Sequence, residues 1–162
     1  LAEERNSGAS ADHHAIGLEG RCGRYGEANV GWPIAGAIRQ ALRIDNKDTV
    51  EGDRRKTQAR VAWGLRQPED TPEVGRVTEG LSYLLGIPSA LAGVEPSRAR
   101  EGAVKAFVGL LQNMSRRKPL VLSISELHWA DELVLELIDR VPEMMRGLRF
   151  ALVATTRPEL EE

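Results

Sequence analysis

Two apolar runs joined by one helix-length segment constrain this chain more than anything else in it. The first, residues 120–124, reads Leu120, Val121, Leu122, Ser123, Ile124. The second covers residues 148–155. Each is too short for a helix and too uniformly apolar for a surface strand, so the pattern predicts strands buried on both faces, as in a parallel sheet. Between them, Asp131 stands where a helix cap belongs, ahead of Leu133, Val134, Leu137, Ile138 and Val141 at helical spacing. Pro142 should kink or shorten that helix, and Gly147 should end it. Strand, helix and strand with short joints make a βαβ unit, which requires a parallel sheet and a right-handed crossover.

The rest of the chain supplies one more strand and several helices. Ile16 and Leu18, with Cys22 beyond them, keep a period of two across residues 14–22, the mark of a short strand. A loop over 23–31, with a turn at Tyr25-Gly26-Glu27, leads to Trp32-Pro33, where proline opens a helix bearing Ile34, Ala37, Ile38, Ala41 and Leu42. Residues 45–57 are charged and read as a loop or an exposed helix start, with a short helix over 58–66. Thr71-Pro72-Glu73 opens another helix, lined by Val74, Val77, Leu81, Leu84 and Leu85 and stopped by Gly86. A loop over 87–95 precedes a longer helix at 97–116 carrying Val104, Phe107, Val108, Leu111 and Met114.

At 162 residues the chain can bury one core, and a 28% charged, 41% hydrophobic composition is that of a globular protein. A net charge of −2 argues against direct nucleic-acid binding. The short basic clusters at 54–56 and 116–118 read as solvated surface. Cys22 is the single cysteine, which rules out an intrachain disulfide and suggests a reducing, cytoplasmic setting. No apolar run approaches the length of a membrane span, and residues 1–13 read as a helix end followed by a flexible loop. Trp32, Trp63 and Trp129 read as packing anchors. His13, His14 and Cys22 lack the ligand number and spacing of a metal site.

Ligands of open parallel sheets sit beyond the C-terminal strand ends. Two such ends here carry polar groups, Ser125-Glu126 and Thr155-Thr156-Arg157. A carboxylate at one can orient a water or a metal, and an arginine at the next can stabilise the charge of a transferred phosphate. Solvated strand ends, or a Glu126–Arg157 ion pair, would produce the same pattern. His128 is a candidate base or a loop residue packed in place. No G-x-x-x-x-G-K-[ST] phosphate loop occurs in the sequence.

The segment from Leu120 through Glu126 and Leu-His-Trp-Ala-Asp131, then a helix, then Phe150 to Thr155-Thr156-Arg157-Pro158-Glu159, resembles the Walker B and sensor-1 region of the STAND branch of AAA+-like P-loop ATPases. Such modules occur in bacterial LuxR-type regulators and beside class III nucleotidyl cyclase domains. Glu19-Gly20-Arg21-Cys22, Tyr25-Gly26 and Trp32-Pro33 through Arg39 resemble the second-strand region and following helix of the same modules. The resemblance covers residues 14–160 and implies a partial, three-layer P-loop NTPase-like α/β domain holding family strands 2, 3 and 4, which are neighbours in the family sheet. It places residues 1–13 at the end of a phosphate-loop helix whose loop would lie upstream.

The resemblance also implies ATP and Mg²⁺ as cofactors. It makes Glu126 the catalytic acid that positions the attacking water. Arg157, with Thr156 beside it, becomes the nucleotide-contacting sensor. Ser125 and Glu126 fall at the Mg²⁺ positions, but Ser125 replaces the first Walker B acid and brings no charge. Asp131 matches the family's last acid, a helix cap. The partners implied are a nucleotide, the other domains of a parent chain, and a second copy through the sheet edge left where family strand 1 would pair. Two functions stand side by side: an ATP-binding and hydrolysing switch in a larger signalling protein, and a silent regulatory domain that keeps the fold.

Overall fold

The computed structural model describes residues 14–23, 32–45 and 47–158. Expectations that fall on 1–13, on the 25–27 turn and on Glu159 lie outside the described residues. The described chain is a three-stranded parallel sheet with five α-helices. Strand β1 (Ile16–Arg21) pairs with β2 (Leu120–Ser125), and β2 with β3 (Phe150–Ala154), in the order β1-β2-β3. The register aligns Leu18, Leu122 and Leu152 across all three strands. Helices α1 (Trp32–Leu42), α2 (Val50–Leu65), α3 (Pro72–Leu85) and α4 (Pro96–Arg117) lie between β1 and β2, and α5 (Glu132–Met144) lies between β2 and β3.

Among the described residues the sheet is covered on one face only, where the sequence led us to expect strands buried on both. Leu18, Leu120, Leu122 and Ile124 are buried, whereas Glu19 and Val153 are exposed and Val121 and Ser123 half-buried. A run of apolar residues does not show which of its two faces has a partner. Among the described residues, the sheet therefore forms two layers with its helices, not three.

The helices form where the local chemistry is explicit. Thr49 caps α2 by accepting from the Gly52 amide at 3.1 Å. Glu95 caps α4 through the Ser97 and Arg98 amides, and Asp131 caps α5 through the Val134 amide at 2.8 Å. Gly86, at φ 70°, ends α3 in the left-handed region that glycine tolerates. Thr71 makes no capping bond; its hydroxyl turns back to Gln67 and the Pro68 carbonyl. Pro142 does not stop α5, which runs two residues further, to Met144.

The main difference from expectation is α2, one helix over Val50–Leu65 where a loop and a short helix were expected. Its buried positions include Asp53 and Thr57 as well as Val61 and Ala62, so its inner face is half polar and carries no apolar period. Burial of Asp53 is made tolerable by Arg39 of α1, whose Nη2 donates to Oδ2 at 2.7 Å. The Thr57 hydroxyl donates back to the Asp53 carbonyl at 2.8 Å.

Two close approaches fix the layers. Gly20 of β1 lies so near α1 that a Cβ there would stand 2.5 Å from the Pro33 carbonyl oxygen. Gly80 of α3 lies so near α4 that a Cβ would stand 2.4 Å from that of Ala106. The outer edge of β1 is closed by a side chain. Gln40 of α1 donates from Nε2 to the Glu19 carbonyl at 2.9 Å and accepts the Glu19 amide at 2.8 Å. The amide group thus satisfies the backbone groups that a further strand would otherwise take.

Candidate functional site

All three strands are parallel, so their C-terminal ends meet at one rim. Backbone bonds stitch that rim together. The Cys22 amide donates to the Ser125 carbonyl, the Thr155 amide to Ile124, and the Leu127 amide to Thr155, each at 3.0 Å. Glu126 is thereby fixed between the ends of β1 and β3.

The backbone of Glu126 is left-handed, at φ 62° and ψ 41°. This conformation costs a residue with a Cβ about 1–2 kcal/mol, and strain of this kind collects at functional positions. The turn lets β2 end abruptly and start a 3-10 turn over Leu127–Trp129, closed by the Trp129 amide on the Glu126 carbonyl at 2.9 Å. The carboxylate is left about one-third open, with a side-chain exposure of 34%. His128 Nε2 stands 3.1 Å from its Oε2. That distance suits an ion pair, yet neither ring nitrogen of the half-buried imidazole makes a hydrogen bond among the described residues. The imidazole rests against Trp129, centroids 5.2 Å apart and tilted by 50°. Arg21 reaches to 4.0 Å from the same carboxylate while staying mostly in solvent, a geometry that contributes little to stability.

Cys22 lies behind this group, buried at the end of β1. Burial, and then the charges of Asp131 and Glu126, push its thiol up to about 11. It is therefore a neutral thiol, not a nucleophile, at ordinary pH.

The structure sets the predicted residues at one rim without joining them. Ser125 is half-buried beside Glu126. Thr156 and Arg157 are exposed beyond β3, and Arg157 forms no ion pair with Glu126 among the described residues. Among the described residues, the arginine that approaches this carboxylate is instead Arg21. Sequence reasoning gave Arg21 no role here, although β1 was legible as a strand. A parallel sheet brings the end of every strand to one rim, and that rule would have found it.

This arrangement can hold and orient a water on Glu126, with Arg21 beside it. It is a partial fit to Mg²⁺ and a nucleotide. It offers one carboxylate and one hydroxyl, and the sequence has no glycine-rich cradle for phosphates. Among the described residues, no group of three or more His, Cys, Asp or Glu side chains is placed to hold a metal. Phosphate-bound Mg²⁺ needs only one or two protein ligands, so the donor count limits the site to a shared role with phosphate.

No family model matches this chain, and no solved structure does. Over 97 residues, 59% of its length, the chain is 29% identical to an uncharacterized protein, R02095, of Rhizobium meliloti (strain 1021). The matched stretch spans 9% of that protein. The chain is thus similar to a small part of a much longer polypeptide.

Proposed function

We propose that this chain is part of a nucleotide-responsive switch module within a larger bacterial signalling or transcription-regulatory protein of the cytoplasm. In this reading it carries the strand whose end presents Glu126 to the attacking water, and ATP with Mg²⁺ is the ligand. Thr156 and Arg157 sense the phosphate end of the nucleotide. The phosphate loop comes from elsewhere in the parent chain. The observation that carries the reading is the placement of Glu126, a strained, partly open carboxylate at the C-terminal end of the central strand, between strand ends that bear Arg21 and Arg157. A match covering only 9% of a longer relative supports the idea of a module.

One observation favours a second reading. Ser125 supplies no charge where the resemblance expects the first Mg²⁺ acid. A module built this way would bind nucleotide weakly or not at all and act as a silent regulatory domain.

A thermal-shift titration of the longer protein separates the two. Saturation by MgATP at 100 times its Kd should raise stability by about 2.7 kcal/mol. No shift with any nucleotide would favour the silent domain.

A further inference from the structure

The opposite end of the sheet holds a second feature, which the nucleotide reading does not use. A cavity of about 590 Å³ opens where β1 begins, between the C-terminal halves of α1, α2 and α4. Its floor is apolar, with Ile16, Leu18, Leu110 and Met114. Its walls carry Arg43, Arg60, Arg117 and Lys118 and, among the described residues, no carboxylate.

Cations without an acid partner are common on this protein's surface; what sets these apart is that four of them line one cavity. Arg39, Arg54, Lys56, Arg100, Lys105, Arg140 and Arg146 all pair with acids. Among the described residues, Arg43, Arg60 and Lys118 pair with none. Cations gather at helix C-termini because of the backbone dipole, which offers a simpler account. It does not reach all of them: the effect is confined to the last turn of a helix, and the last turn of α2 holds no basic residue, so Arg60 lies outside it.

Trp63 marks the mouth. It is 67% exposed, against the expectation of a packing anchor. It is held by Arg117, whose guanidinium lies 4.4 Å from the ring centre and donates to the Gly64 carbonyl at 3.1 Å. Asn113 donates to the same carbonyl at 2.8 Å. An aromatic face with a fixed cation beside it is ready-made for a ligand that is part apolar and part anionic. Glu69, with Arg66, lies in the adjoining groove on the far side of Trp63.

We propose that this cavity binds a small anionic amphiphile, with its apolar body on the floor and its carboxylate or phosphate among Arg60, Arg117 and Lys118. The volume falls within the range of small-molecule sites. The site lies at the opposite end of the strands from Glu126, so such a ligand would act on a nucleotide site only through the sheet and helices.

Calorimetric titration of the 162-residue chain with decanoate, decanol and inorganic phosphate tests this. Decanoate should bind saturably and more tightly than either of the others. Raising sodium chloride from about 50 to about 500 mM should weaken it, because the contact is ionic. The pair of substitutions Arg60→Gln and Lys118→Gln, both at exposed and unpaired side chains, should weaken decanoate about tenfold or more. Arg55→Gln, outside the cavity, should not. Decanol binding as tightly as decanoate would overturn the role of the cations. Phosphate binding as tightly as decanoate would overturn the role of the floor. Binding insensitive to both salt and the paired substitutions would overturn the site itself.

Discussion

Replacing Glu126 by glycine separates a functional carboxylate from a structural one. The residue stands at φ 62° and ψ 41°. A left-handed conformation costs a residue with a Cβ about 1–2 kcal/mol, and glycine relieves that cost. Glycine also loses more backbone freedom on folding, a debit of about 0.5–1 kcal/mol. What the carboxylate itself contributes is the 3.1 Å approach to His128 and the 4.0 Å approach to Arg21. Both are partly solvated, and such pairs are worth about 0–1 kcal/mol. Taken at mid-range these contributions nearly cancel, so the variant should lie within about 1 kcal/mol of the parent despite the loss of a charged residue in the middle of the rim. Arg66, left-handed at φ 56° as the C-cap of α2, is the control, because Arg66→Gly meets the same backbone terms with no carboxylate involved. Urea unfolding followed by far-UV circular dichroism measures both. Glu126→Gln keeps the backbone cost and should stay within about 0.5 kcal/mol of the parent. If Glu126→Gly instead loses more than about 1 kcal/mol while Arg66→Gly does not, Glu126 is holding its loop together and the functional reading of its strain is refuted.

Other expectations follow from the same contacts. Gly80→Ala forces a methyl to 2.4 Å from Ala106 and 3.0 Å from the Gly102 carbonyl, so it should cost about 1–3 kcal/mol. Gly109→Ala on α4, with nothing within 4 Å, should gain about 0.5–1 kcal/mol, and thermal melts compare the two. The Cys22 thiol rises from its ordinary 9.0 to about 11 in the fold, so the unfolded thiol ionises first as pH climbs. Stability present below pH 9.0 should then be lost by about 2–3 kcal/mol on the way to about 11, and Cys22→Ala should remove that slope in denaturant titrations across the range. Among the described residues no strand pairs with the outer edge of β3, whose Ala151 and Val153 are exposed, and the 162-residue chain should associate through that apolar margin. Sedimentation velocity should show association rising with concentration and falling for Val153→Lys; a monodisperse monomer with a cooperative melt would contradict this.

Much of the fold was legible because its signals were local. The strands at 16–21, 120–125 and 150–154 announced themselves by apolar runs or a period of two, α3, α4 and α5 by their apolar stripes, and two helix ends by Gly86 and Asp131. What was hidden depended on partners distant in sequence. The span of α2 was obscured because its inner face is completed by an ion pair with Arg39 in another helix. The open face of the sheet was obscured because apolar residues read the same whether or not anything covers them. Trp63 looked like a core residue because a sequence gives size and polarity, not exposure. At the rim, Ser125 and Glu126 were found from β2 alone. Arg21 was not, because its nearness to Glu126 comes from the pairing of β1 with β2.

The central claim, that Glu126 directs water at a bound nucleotide, is tested most directly by Glu126→Gln in the longer protein. Gln keeps the shape and the left-handed backbone and removes only the charge. The account predicts that ATP turnover is abolished while MgATP still raises the melting temperature as it does in the parent protein. Turnover equal to that of the parent would contradict it.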